Sequence, residues 1–239
     1  MIQQKNNSPA NNKVNVFAMI VAAGKGSRYG ANIPKQYLTV NHKTVVEHSV
    51  SQLAKSQYIK HCHLVISNDD KTAKTLDWAL AMQFCIGGAE RWHSVQAGMQ
   101  AIVESSARSN DLVLIHDAAR PCVLPKDVDN VIEAAMDEPY GAILATPVAD
   151  TLKQVDAKGV ITQTVDRSKL WQAQTPQVFR LGYLQKVLKT VAEQGVHITD
   201  EASGFEQLGY PIKVVEGSRS NMKLTYPSDL DLIGFLLNS

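Results

Sequence analysis

Short apolar runs alternate with amphipathic stretches along most of this chain. Residues 17–23 form a continuous apolar run, the length of a buried strand and too short for a helix. Thr44 and Glu47 stand at capping-box spacing ahead of Val46, Val50, Leu53 and Ala54, which predicts a helix over about residues 44–55. Residues 63–67 predict a second buried strand, about 70–80 a second helix, and 82–86 a third strand stopping at Gly87 and Gly88. A helix opening at Glu90 carries Val95, Met99 and Ile102 on one stripe. Residues 111–117 are the clearest buried strand, and a helix over about 126–137 and a strand over 141–146 follow. Alternation of this kind predicts an α/β fold, doubly wound, with a mostly parallel sheet flanked by helices.

The alternation breaks after residue 149. Two β-like runs flank Asp156-Ala-Lys-Gly159, a hairpin signal, and they predict a projecting β-arm at about 149–170. The arm has too few apolar residues for a core of its own, so a second copy of the chain is the expected cover, giving a homodimer. The chain then returns to the sheet over 171–179. Leu181, Leu184, Leu188 and Val191 mark a helix ending before Gly195, and a short helix begins at Thr199-Asp-Glu-Ala202. A strand over 212–215 and a last helix from near Pro227 close the pattern. Residues 1–13, polar and rich in Asn and Gln, predict a disordered extension ahead of a single domain over 14–239.

Composition narrows the function classes. With 239 residues and 44% hydrophobic content the chain buries a sizeable core, and a net charge of +1 gives no global attraction to nucleic acid or to an anionic membrane. No apolar run approaches the roughly 20 residues that span a bilayer, and the first residues are unlike a signal peptide, so a cytoplasmic location is expected. Cys62, Cys85 and Cys122 are odd in number and far apart, as in reduced, buried thiols. His61 and His63 share one face of a strand, with no third metal ligand nearby in sequence.

Positive charge is local instead. The first strand empties into a loop with Gly24, Gly26 and Gly30 that carries Lys25, Arg28 and Lys35, suited to a polyphosphate. Met19 stands where a P-loop needs its first Gly, and Tyr29 stands where a dinucleotide fingerprint needs its third, which leaves a nucleoside triphosphate as the better guest. Gly88, Arg91 and Ser94, beyond the carboxyl end of the third strand, are candidate nucleotide contacts. His116 and Asp117 end the central strand, where an open α/β sheet holds a metal and its phosphates, so Asp117 is the candidate Mg²⁺ ligand. His116 reads as structural and Arg120 as an ion-pair partner that holds the loop. A second cationic loop, 216–223, ends on Lys223. No Ser-His-Asp set or nucleophilic Cys emerges, which fits a reaction whose nucleophile is itself an anionic phosphate needing alignment and charge screening rather than a base.

Ala22-Ala-Gly-Lys-Gly-Ser-Arg28, Pro34-Lys-Gln-Tyr-Leu38, His116-Asp-Ala-Ala-Arg-Pro121, Val165-Asp-Arg167, Thr175-Pro-Gln177, Thr199-Asp-Glu-Ala-Ser203 and Asn221-Met-Lys223 occur in this order. The ordered set resembles the 2-C-methyl-D-erythritol 4-phosphate cytidylyltransferases. Val21 stands where that family commonly has Pro, and Ala89 where it commonly has Asp. The resemblance implies a Rossmann-like nucleotidyltransferase core, a dimerising β-arm, and transfer of CMP from CTP to methylerythritol phosphate with Mg²⁺ in non-mevalonate isoprenoid synthesis.

By the same resemblance, Arg28 and Lys35 stabilise the charge developing on the α-phosphate. Arg167 and Lys223 position the methylerythritol phosphate, with Thr151 beside Arg167, which reaches the partner subunit's site. Ala22, Ala23, Gly24, Gly26, Gly88, Arg91, Ser94 and Ala118 contact the nucleotide, while Asp117, Arg120 and Thr175 join the acceptor side. Two alternatives stand beside this reading: a ribitol-5-phosphate cytidylyltransferase, and a catalytically silent CTP-binding module that dimerises through its arm.

Overall fold

The computed structural model describes residues 14–24, 33–88 and 90–238. The expectations for residues 1–13, Lys25, Gly26, Arg28, Gly30 and Ala89 lie outside the described residues. Strand β1 (Val16–Val21) is buried along nearly its whole length, and its alternation splits the core. Ala18 and Ile20 face one side of the sheet, Phe17 and Met19 the other. A short ribbon, β2 (Thr39–Val40) and β3 (Lys43–Thr44), leads into helix α1 (Val45–Leu53). The expected capping box starts that helix: Thr44 Oγ1 accepts from the Glu47 amide, and the Glu47 carboxylate accepts from the Thr44 amide. Val46, Val50 and Leu53 are fully buried on its inner face, each contributing about 1.5 to 3 kcal/mol of transfer free energy.

Strand β4 (His61–Ile66) follows, and the chain then departs from expectation. The helix expected over 70–80 is a single 3-10 turn, Ala73–Thr75. Asp70 Oδ1 accepts from the Thr72 and Ala73 amides, both at 2.9 Å, and holds a turn. Beyond it Leu76, Trp78 and Leu80 pack on the core as every second residue, which is the period of extended chain. Strand β5 (Ala81–Ile86) lies parallel to β4 at one edge of the sheet.

Helix α2 (Arg91–Glu104) leads to β6 (Leu112–Asp117), buried at every position, and α3 (Pro125–Asp137) leads to β7 (Gly141–Pro147). The hairpin forms as expected from β8 (Leu152–Val155) and β9 (Ile161–Val165), a separate two-stranded sheet. The long strand β10 (Trp171–Arg180) re-enters between β6 and β7, antiparallel to both. Its pairing with β7 is interrupted by a bulge between Ala173 and Gln177, where Pro176 costs no ladder bond. Helix α4 (Leu181–Gln194) ends on Gly195 at φ 62°, followed by α5 (Glu201–Gln207), β11 (Lys213–Glu216) and α6 (Asp229–Leu236).

The seven-stranded sheet runs β11-β7-β10-β6-β1-β4-β5, with only β10 reversed. Helices α1 and α3 cover one face, and α2, α4 and α5 the other. From β1 the strand order proceeds to β4 and β5 on one side and restarts with β6 on the other. The switch therefore falls between β1 and β6, and the crevice at their carboxyl ends is where a ligand of such a sheet binds.

Candidate functional site

That crevice holds a cavity of about 210 Å³. Ala22, Ala23 and Gly24 from the end of β1, Lys35 and Gln36 from the 3-10 turn, Gly88, Arg91 and Ser94 from the β5–α2 junction, Asp117 and Ala118 from the end of β6, and Lys223 line it. The structure thus gathers most of the expected site residues around one space. Gly87 is required there, because a Cβ would lie 2.6 Å from Ser94 Oγ and 2.8 Å from Ala23 Cβ. Ser94 is itself buried, and its hydroxyl lies 3.3 Å from the Glu90 carbonyl, so it stiffens the first turn of α2 as well as facing the cavity.

Asp117 is the electrostatic centre. Its Oδ2 lies 2.7 Å from Lys223 Nζ, its Oδ1 3.5 Å from Arg91 Nη2, and Arg120 Nε stands 3.8 Å away. Burial alone would raise its pKa, but Arg91, Lys223 and Arg120 more than offset that and hold the carboxyl well below the usual range. It is anionic at any ordinary pH.

A buried chain of hydrogen bonds supports it. Thr175 Oγ1, placed by the β10 bulge, accepts from the Asp117 amide at 3.0 Å and lies 3.0 Å from His116 Nδ1, while His116 Nε2 lies 3.1 Å from the Arg120 carbonyl. A consistent assignment has the Thr175 hydroxyl donate to Nδ1 and Nε2–H donate to the carbonyl, which needs neutral His116. Burial pushes its pKa down to about 4, in agreement. His116 is structural, as expected. Thr175 is buried behind Asp117 rather than lining the cavity. Arg120 does hold the loop: its Nη1 donates to the Asn221 carbonyl at 2.7 Å.

Lys35 lines the cavity and donates to the Leu224 carbonyl at 2.5 Å, tying its turn to the loop that carries Lys223. Beyond Lys223 a second cavity, of about 540 Å³, is lined by Arg120, Asp150, Gln172, Gln174, Arg219 and Asn221 among others. Thr151 and Arg167 line neither cavity: both sit exposed at the base of the arm, with Arg167 Nη1 donating to the Val148 carbonyl at 3.1 Å.

Several residues at the site escaped the sequence reading. Gln36 Nε2 donates to the Ala22 and Gly24 carbonyls at 2.7 and 3.3 Å and pins the start of the glycine loop. Glu201, fully buried, grips Arg91, and Arg219 joins the second cavity. Gln36 and Glu201 lie inside the ordered motifs, but their partners are separated from them in sequence, so spacing carries no signal of either contact.

Compared with known families, residues 16–239 match the family model described as IspD, 2-C-methyl-D-erythritol 4-phosphate cytidylyltransferase. The chain belongs to this family. A 2-C-methyl-D-erythritol 4-phosphate cytidylyltransferase of Psychrobacter arcticus is 53% identical to it, over 95% of this chain and 92% of the relative. Another, of Acinetobacter baumannii, is 42% identical over 95% of each. Among solved structures the fold is similar to a 4-diphosphocytidyl-2C-methyl-D-erythritol synthase at TM-score 0.82 and 36% identity, covering 94% of this chain and 99% of that one. The Thermus thermophilus cytidylyltransferase gives 0.79 at 30% identity, covering 95% and 100%. The mostly parallel sheet is thus the fold of the cytidylyltransferases of this family.

Proposed function

We propose that this crevice transfers CMP from CTP to 2-C-methyl-D-erythritol 4-phosphate, giving 4-diphosphocytidyl-2-C-methyl-D-erythritol and pyrophosphate in non-mevalonate isoprenoid synthesis. The observation that carries the reading is the gathering of the family's motif residues around one cationic cavity at the switch point. The family match favours this acceptor over ribitol 5-phosphate, and retention of Lys35, Asp117 and Lys223 at the cavity argues against a silent module.

An oxygen of the acceptor's phosphate attacks the α-phosphorus of CTP, and the bond to the oxygen bridging to the β-phosphorus breaks, releasing pyrophosphate. The nucleophile is already anionic, so no base is needed. What it requires is screening of the repulsion between two phosphates, and Lys35, Lys223 and Arg28 supply it, with Arg91 on the nucleotide's phosphates. Ala22, Ala23, Gly24, Gly88, Ser94 and Ala118 wall the nucleotide, and Arg120 and Arg219 flank the larger cavity where the acceptor's polyol extends.

Among the described residues no group of three His, Cys, Asp or Glu side chains could hold a metal by itself. Asp117 nevertheless suits Mg²⁺, being a hard anionic oxygen at the cavity wall, because that ion is commonly held by one or two carboxylates together with substrate phosphates. Bound there, Mg²⁺ would supply positive charge to the triphosphate. Lys223, now on Asp117, would then be free for the acceptor's phosphate.

The arm serves a homodimer. Val155, Val160 and Ile161 are more than half exposed on a two-stranded hairpin that cannot cover them itself. In the dimer, Thr151 and Arg167 of one protomer reach the site of its partner. A cytoplasmic location agrees with free, buried Cys62, Cys85 and Cys122, and no described helix is long and apolar enough to cross a membrane.

Phosphorus NMR on a mixture of CTP, Mg²⁺ and the acceptor tests the reaction: the triphosphate signals should give way to a diphosphate diester and pyrophosphate. Release of inorganic phosphate in their place would refute the transfer.

A further inference from the structure

Arg91 is the first residue of α2 and reaches into the crevice between two carboxylates. Its Nη1 meets both oxygens of Glu201, at 2.5 and 2.6 Å, while its Nη2 stands 3.5 Å from Asp117. Glu201 is fully buried and lies outside the lining of the nucleotide cavity, so its work is done through Arg91. The backbone around it is locked. Asp200 accepts from the Ser203 amide at 3.0 Å, and Gln177, buried in β10, donates to Asp200 at 2.7 Å and accepts from the Ala202 amide at 3.4 Å. A rigid path thus runs from the sheet through α5 to the guanidinium.

The geometry has a purpose beyond neutralising a charge. Asp117 is the nearest other anion, its Oδ1 facing Arg91 while its Oδ2 holds Lys223, and an Arg91 without its second carboxylate would close the 3.5 Å gap and settle on Asp117. Both oxygens of Glu201 grip one nitrogen, Nη1, which leaves Nη2 beside Asp117 at the cavity wall with only one long contact. We infer that Glu201 is a positioning residue, holding Arg91 so that Nη2 is aimed at the nucleotide's phosphates and keeps only its long, 3.5 Å contact with Asp117. The inference rests on the cytidylyl-transfer reading and adds to it a residue that touches neither substrate.

The test is steady-state pyrophosphate release by the full chain, with CTP and acceptor varied in turn, for the wild type, Glu201→Gln, Arg91→Lys and the double variant, each with its thermal midpoint. Glu201→Gln should raise KM for CTP about tenfold or more with KM for the acceptor unchanged. The double variant should be no worse than the poorer single one, because Glu201 acts through Arg91. An unchanged KM for CTP, or single losses that multiply in the double variant, would overturn the inference while leaving the reaction standing. A wild type with no CTP-dependent release would overturn the reaction and the inference together. Should Glu201→Gln fail to fold, Glu201→Asp, which keeps the charge one methylene short, should still raise KM for CTP. A wild-type value there would refute the inference equally.

Discussion

Replacing Asp117 by Asn exchanges a carboxylate for an amide of the same shape in the midst of Lys223, Arg91 and Arg120. The three cations lose their common anion and repel one another. Breaking a fully buried pair costs about 3 to 5 kcal/mol and an exposed one about 0 to 1. The Asp117 side chain is 11% exposed, but those of Lys223 and Arg91 are 37% and 29% exposed and can rehydrate, which places the cost near 2 kcal/mol. For a chain of this length that is a fall of about 4 to 8 °C in Tm, read without substrates. Catalysis should suffer separately, because the amide is a poor ligand for a hard cation: turnover should drop about a hundredfold, with a higher Mg²⁺ requirement. The assay is pyrophosphate release at saturating CTP and acceptor across a Mg²⁺ series. Wild-type turnover at low Mg²⁺ would refute the role of Asp117, and a raised Tm with lost turnover would show that the three cations do not need their anion.

Lys35→Ala should lower turnover at least about a hundredfold with the quaternary state unchanged by ultracentrifugation, and unchanged turnover would remove Lys35 from the transition state. His116 carries a pH signature: its pKa is about 4 in the fold against an ordinary value of 6.5, so its contribution to stability is full above the ordinary value and is lost as pH falls between them. Glu201, raised by burial, works in the opposite sense, so the difference in Tm between wild type and His116→Gln isolates the effect, and it should shrink over that range. EDTA should abolish pyrophosphate release without shifting Tm, since no described cluster of side chains holds a metal unaided. A large fall in Tm would reveal a structural metal.

Most strands of the main sheet were legible as short apolar runs, as β6 ends at Asp117 and β5 runs into Gly87, and α1 because its cap is written at fixed spacing; the two-residue strands β2 and β3, with no apolar run, were not. The stretch over 70–80 misled because Leu76 and Leu80 suit a helix as well as an extended chain, and only the Asp70 turn decides between them. The cavity walls were legible wherever loops follow strands, since a doubly wound sheet brings those ends together. Gln36, Glu201 and the Thr175–His116 chain were not, because each acts through a partner brought near only by folding. Thr151 and Arg167 stand apart from both cavities because they sit at the base of the arm, a two-stranded sheet separate from the main one.

The most direct measurement is pyrophosphate release with CTP and Mg²⁺, comparing methylerythritol 4-phosphate with ribitol 5-phosphate as acceptor. Release with methylerythritol 4-phosphate alone is the predicted result. Release with ribitol 5-phosphate alone would keep the fold and its cations but contradict the acceptor, and release with neither would contradict the transfer itself.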